Sequence, residues 1–159
     1  MDELMHFISW WGQSYNMVLF VLVAAVIFYF TGYRRAALFT LAALWGDIAN
    51  VGLKLMFNRP RPSEMDIFPS FQQGSFPSGH VVHYVVFFGF LLYVMATEKQ
   101  IPGVLRWSIG ALSAFLVLGI GISRVHLGTH WPADICAAYI IGFIFLFLIT
   151  RQYLKKRAI

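Results

Sequence analysis

Long apolar stretches separated by short polar turns organise this chain. No alternation at a spacing of two emerges within them; the runs are apolar on all sides. No Asp, Glu, Lys or Arg occurs between Leu4 and Tyr33. A helix needs about 20 predominantly apolar residues to cross a bilayer core about 30 Å thick. Five stretches meet or approach that: roughly Tyr15–Tyr33, Ala36–Met56, His80–Thr97, Val104–Ser123 and Pro132–Thr150. Barrel strands would alternate polar and apolar residues over about 10 positions, and these stretches do not. The pattern predicts an all-α integral membrane protein, a helical bundle with five spans.

The two ends and the longest connection read differently. Residues 1–14 predict a short interfacial helix, with Leu4, Phe7, Ile8 and Trp11 on one side and Trp10 and Trp11 suited to the headgroup zone. The connection 57–79 holds Pro60, Pro62, Pro69, Gly74 and Pro77, so it is not a regular helix throughout. Loops of that length are often lids or binding loops, and 57–79 is expected to be an outer lid. The chain reads as a single membrane-embedded domain, 1–159, ending in a basic tail, 151–159.

Composition supports the membrane reading. Of 159 residues, 59% are hydrophobic and 12% charged, against about 45–50% and about 25% in soluble domains. A mean hydropathy of +0.70 agrees. The start, Met1-Asp2-Glu3, is acidic where a signal peptide would be basic. The lone Cys136 has no intrachain partner and is expected to pack.

The net charge of +5 gains meaning from its distribution. Arg34, Arg35, Lys99, Arg106, Arg151, Lys155, Lys156 and Arg157, eight of the twelve cations, fall on one side of a five-span topology. Basic loops mark the cytoplasmic side, so the C-terminus is expected there, in the cell membrane. The tail is read as a topology and headgroup anchor, with no nucleic-acid partner. Lys54, Arg59, Arg61 and Arg124 fall at the opposite, extracytoplasmic face, where cations need a functional reason.

Three polar clusters meet at that face: Lys54 with Asn58-Arg59-Pro60-Arg61-Pro62; Pro77-Ser78-Gly79-His80; and Ser123-Arg124 with His130, Pro132 and Asp134. Lys54, Arg61 and Arg124 suit a phosphate dianion, and Arg offers bidentate forks. Ser78, Gly79 and His80 enter a helix, whose first N–H groups favour an anion. His80 and His130 are the residue types that metal-free phosphoryl transfer needs, one nucleophile and one acid. Asp134, four residues after His130, is expected to bond the imidazole if the helix reaches back that far.

These clusters resemble the type 2 phosphatidic acid phosphatase family, lipid phosphatases related to vanadium haloperoxidases. The family's pattern is a Lys, six residues and Arg-Pro (Lys54, Arg61-Pro62); Pro-Ser-Gly-His (Pro77 to His80); and Ser-Arg, five residues, His, three residues, Asp (Ser123-Arg124, His130, Asp134). The resemblance covers roughly residues 4–150. It implies that His130 attacks phosphorus to form a phosphohistidine and that Asp134 orients it. It implies that His80 protonates the leaving oxygen and then activates water. Lys54, Arg61, Ser78, Gly79 and Arg124 would hold the phosphate oxygens. No metal or other cofactor is implied. Family members in membranes usually have six spans; the first is expected to be absent here, with Met1–Gln13 resembling the segment that follows it.

Other polar residues carry open readings. Asp47, Asn50 and Lys54 share a helical face, so Asp47 and Asn50 either position Lys54 or make a structural contact with another span. His83, three residues after His80, is expected to line the site entrance; a metal site there lacks a matching ligand set. His126 is read as an outer-face headgroup or packing residue. Arg59 either meets a headgroup or solvates the loop. Glu64 and Asp66 are read as solvated, and Phe68, Phe71 and Phe76 as lipid contacts or loop packing.

The expected function is metal-independent hydrolysis of a lipid phosphate or diphosphate, with bilayer and phosphorylated lipid as partners and a homo-oligomer possible. Undecaprenyl diphosphate, phosphatidylglycerophosphate, phosphatidic acid and lipid A phosphate are the candidate substrates. Alternatives are a lipid phosphate transferase and a non-hydrolytic lipid-phosphate binding or transport protein. Polar clusters confined to helix ends on one face disfavour transport, which uses broken helices within the bilayer.

Overall fold

The computed structural model describes residues 1–57, 59–62 and 74–155. Within them the chain is helical and holds no strand. The elements are α1 (Asp2–Trp10), α2 (Ser14–Phe30), α3 (Arg34–Ala42), α4 (Leu44–Phe57), α5 (Gly79–Thr97), α6 (Gly103–His126) and α7 (Pro132–Lys155). Four stretches are long and apolar enough to cross a membrane: Arg34–Phe57, Gly79–Thr97, Gly103–His126 and Pro132–Lys155. A fifth crossing exists if α1 and α2, bent by 55°, count as one span. The helical membrane bundle is thus the one the apolar runs predict.

Helix α5 is the axis. It is buried on every side from Val81 to Phe90, with α3, α4, α6 and α7 packed around it. Such uniform burial follows from a helix apolar all round. The outer helices bury one side only and expose Leu19, Trp45, Leu118 and Phe147 outward. Small residues set the spacing, as interfaces between membrane helices favour. A Cβ on Gly142 of α7 would stand 2.8 Å from Val85 Cβ, and one on Gly89 of α5 would stand 2.7 Å from Leu146 Cδ2.

Two details depart from the expected elements. The stretch expected as one helix over Ala36–Met56 is two, meeting at Ala43. There the Ala43 N–H donates to the Thr40 carbonyl (3.1 Å) and the Gly46 N–H to the Ala43 carbonyl (3.0 Å), a tighter three-residue winding. In α1 the buried residues are Met5, Ile8 and Ser9, while Leu4 and Phe7 are exposed. The apolar face expected to define α1 is therefore split. Hydroxyl and backbone bonds to α6 decide its orientation: the Ser123 hydroxyl donates to the Met5 carbonyl at 2.6 Å.

The two ends of α5 are polar. At its C-terminal end, Tyr153 donates to Glu98 (2.6 Å), Arg35 donates to the Tyr153 carbonyl, and Arg106 Nε donates to the Met95 carbonyl (2.7 Å). At its N-terminal end lies the site described next.

Candidate active site

A pocket of about 500 Å³ opens at the N-terminal end of α5. Lys54 from the end of α4, Arg61, Gly79 and His80 at the start of α5, Arg124 near the end of α6, and His130 before α7 line its polar part. Met17 and Val18 of α2, with Leu44, Ile48 and Val51 of α4, supply apolar lining. Gly12, Asp47 and Asn50 complete the wall. Six of the eight residues that the sequence assigns to catalysis or phosphate binding therefore share one cavity. Ser78 and Asp134 are fully buried beside it and do not line it.

Local structure explains how these side chains arrive. Gly128, at φ 66°, turns the chain between α6 and α7. Pro132 takes the first position of α7, where its missing N–H costs nothing. Asp134 reaches back, and its Oδ2 accepts the Trp131 N–H at 2.9 Å, satisfying one of the helix's open donors.

His130 is 3% exposed. Its Nδ1 lies 2.8 Å from the Ser75 carbonyl, which can only accept, so Nδ1 carries the proton and Nε2 keeps its lone pair. Burial, then the charges of Arg124, Lys54 and Arg61, lower its pKa to about 3 against the raising effect of the Ser75 bond. The imidazole is thus neutral near pH 7.

The expected Asp134–imidazole bond is replaced. Asp134 Oδ2 stands 3.7 Å from His130 Nδ1, outside hydrogen-bond reach, because that N–H is given to Ser75 and Oδ2 is engaged by Trp131. The other carboxylate oxygen, Oδ1, accepts from Arg59 at 2.8 Å. Arg59 also lies over the Trp131 ring, 5.8 Å from its centroid. Arg59 therefore has a definite place, beside the turn that carries His130.

Ser75 joins two segments, and the sequence reading does not single it out. Its N–H donates to the Arg59 carbonyl (2.7 Å), its hydroxyl donates to the Pro60 carbonyl (3.0 Å), and its own carbonyl takes His130. It stands just before the Pro77 to His80 cluster, and no motif spacing marks it.

Two buried donors at or beside the cationic wall have no hydrogen-bond partner among the described residues. Lys54 Nζ donates to the Gly74 carbonyl at 3.0 Å. Arg124 is 9% exposed, and its Nε has no hydrogen-bond partner among the described residues. The same holds for the Ser78 hydroxyl, although Ser78 occupies the N-cap of α5. Buried polar groups are normally paired, so a wall of this kind suits an anion with several acceptor oxygens.

Asp47 and His83 form a pair: His83 Nδ1 lies 2.9 Å from Asp47 Oδ2, linking α4 to α5. Asp47 thus contacts another span, and it also lines the pocket with Asn50 and Lys54. His83 is 1% exposed and is not in the pocket wall, unlike the expected position at the entrance. Asn50 is buried, its amide against Gly79. His126 pairs with Asp2 at 2.8 Å, tying α6 to α1. Phe76 packs on Phe57, ring centroids 4.9 Å apart. Asn58, Glu64, Asp66, Phe68, Phe71, Lys156 and Arg157, with most of the segment expected to be a lid and the end of the tail, lie outside the described residues. Among the described residues no group of three or more His, Cys, Asp and Glu is arranged to hold a metal ion.

By class, this is a helical membrane protein with a cation-lined pocket at one end of its bundle and two imidazoles facing into it. A family model described as the PAP2 superfamily matches residues 35–158, and the chain belongs to that superfamily. It is similar to an undecaprenyl-diphosphatase of Sulfolobus acidocaldarius, 27% identical over 149 residues, covering 89% of this chain and 66% of that protein. It is also similar to phosphatidylglycerophosphatase B of Bacillus subtilis, 25% identical over 152 residues, covering 94% of this chain and 73% of that one. The chain thus spans about two thirds to three quarters of these relatives' length. Its fold matches the crystal structure of a transmembrane PAP2 type phosphatidylglycerolphosphate phosphatase from Bacillus subtilis, with a TM-score of 0.80 at 22% identity, covering 97% of this chain and 77% of the other.

Proposed function

We propose that this protein is a membrane lipid phosphatase that hydrolyses a lipid phosphate or diphosphate through a phosphohistidine at His130. The observation that carries the reading is one cavity lined by Lys54, Arg61, Arg124, His80 and His130 together with apolar side chains of α2 and α4. The polar side chains suit a phosphoryl group and the apolar ones suit the hydrocarbon behind it. The names of the two relatives point to the same substrate class, undecaprenyl diphosphate or phosphatidylglycerophosphate.

In this reading His130 Nε2 attacks phosphorus, and the P–O bond to the lipid breaks. His80 gives its proton to the departing oxygen. Water then attacks phosphorus, His80 takes the water proton, and the P–N bond breaks to release phosphate and restore neutral His130. Lys54, Arg61 and Arg124 stabilise the equatorial oxygens throughout, which is the larger part of catalysis for phosphoryl transfer. Asp134 acts through the turn that carries His130. No step calls for a metal ion. The loop charges support a pocket on the extracytoplasmic side.

The test is phosphate release by the purified protein from undecaprenyl diphosphate, phosphatidylglycerophosphate and phosphatidic acid at equal surface concentration. At least one should be hydrolysed, and His130→Ala should reduce release by more than about 10³-fold while remaining folded, as loss of a covalent nucleophile does. Turnover retained in His130→Ala would sink the mechanism.

A further inference from the structure

Helix α1 and the turn after it precede the residues that the superfamily model matches, which begin at 35, yet they touch the site twice. The first contact is a hydroxyl relay. Ser123 spends its only proton on the Met5 carbonyl, 2.6 Å away. The 2.8 Å bond between the Ser9 and Ser123 hydroxyls must then be donated by Ser9. That leaves the Ser9 oxygen to accept from Arg124 Nη1 at 3.2 Å. All three side chains are buried. One fork of the guanidinium is thereby tied to α1, while Arg124 as a whole faces the pocket.

The second contact is steric. A Cβ on Gly12 would stand 2.6 Å from His80 Cδ2 and 2.6 Å from Tyr84 Cε2. Tyr84 is fully buried and its hydroxyl is anchored on the Ile8 carbonyl, so its ring has nowhere to go. His80 borders the cavity and would be the ring to move. Only a residue without a Cβ lets the chain pass that close to the imidazole.

We infer that Ser9 and Gly12 are positioning residues of the phosphate site, Ser9 fixing the Arg124 guanidinium and Gly12 fixing the place of the His80 ring. The inference rests on the preceding reading for what these two residues do, and its main test does not require turnover. Orthophosphate binding to the full-length protein in detergent is measured by calorimetry. Ser9→Ala should weaken binding about tenfold, the scale of a lost hydrogen bond to a charged group, and Ser9→Thr, which keeps the hydroxyl, should restore most of it. A merely structural role would lower the folded fraction and leave the dissociation constant of the folded protein unchanged. Gly12→Ala should slow release from an alkyl phosphate, whose leaving oxygen needs a proton, at least about tenfold more than from p-nitrophenyl phosphate, whose leaving group does not.

Orthophosphate affinity unchanged in Ser9→Ala overturns the assignment of Ser9, whether or not the wild type turns over lipid. An unchanged alkyl-to-aryl ratio in Gly12→Ala overturns that of Gly12. If Gly12→Ala does not fold, Ser9→Ala and Ser9→Thr decide the inference alone. A wild type that binds orthophosphate but releases none from any lipid removes the phosphatase reading and leaves the Ser9 contact tested. A wild type that does not bind orthophosphate overturns the assignment of Ser9, and release from lipid then judges the phosphatase reading by itself.

Discussion

Asp134 has no exposed side-chain surface, and its main ionic partner is Arg59, whose own side chain is 40% exposed. Arg59→Ala leaves a buried carboxylate with one fewer charged donor. A loss of about 1–3 kcal/mol is expected, less than for a fully buried pair because Arg59 is partly solvated. Thermal or denaturant unfolding in detergent would measure it. Arg59→Lys should recover only part, since a point charge replaces neither the fork nor the stacking over Trp131. Stability equal to wild type in Arg59→Ala would show that Asp134 does not depend on it.

His130 gives a pH dependence with a definite sign. The folded protein holds it near a pKa of about 3, whereas an unfolded histidine titrates near about 6.5. Between those values the unfolded chain binds more protons, so the His130 contribution is full above about pH 6.5 and falls as pH drops towards about 3. His130→Asn should flatten that acid limb, read as melting temperature against pH. A limb of unchanged slope would mean that other groups set it. At this scale the motif residues are legible because their spacing is fixed along the chain. Ser75, Ser9 and Gly12 are not, because each acts on a partner far away in sequence through a carbonyl, a hydroxyl or the absence of a Cβ.

Among elements, the tight approach at the bundle centre is α7 on α5. Gly142→Ala would push a Cβ to within 2.8 Å of Val85 Cβ, an atom fixed to the α5 backbone. Overpacking of this kind costs about 1–3 kcal/mol. Gly103→Ala, at the start of α6 with nothing within 4 Å, is the matched control and should be near neutral. Equal melting temperatures for the two variants would contradict the packing account. The spans are legible in the sequence because apolar length alone identifies a crossing helix. The break at Ala43 is not, since hydropathy does not report a local change of winding. Nor is the orientation of α1: its apolar side chains have two apolar environments to choose between, and hydrogen bonds to Ser123 settle the choice.

For the whole molecule, cations gather at both ends of α5, a helix of 19 residues and so about 28 Å long. Arg35 and Arg106 lie with Glu98 and Tyr153 at one end, and Lys54, Arg61 and Arg124 at the other. The proposed orientation puts the first set in the cytoplasm. With Cys136 replaced by Ala, Lys155→Cys should react with an impermeant maleimide only after the membrane is opened. Tyr15→Cys, at a position 91% exposed near the start of α2, should react in intact cells. The reverse pattern would invert the topology. Val18, Ile48 and Val51, which line the pocket, are themselves about half exposed. If its ligand is a lipid, as proposed, such a cavity meets it by lateral diffusion. Its natural concentration scale is molecules per area of bilayer, and diluting the ligand with inert lipid would starve it even when the bulk amount is unchanged.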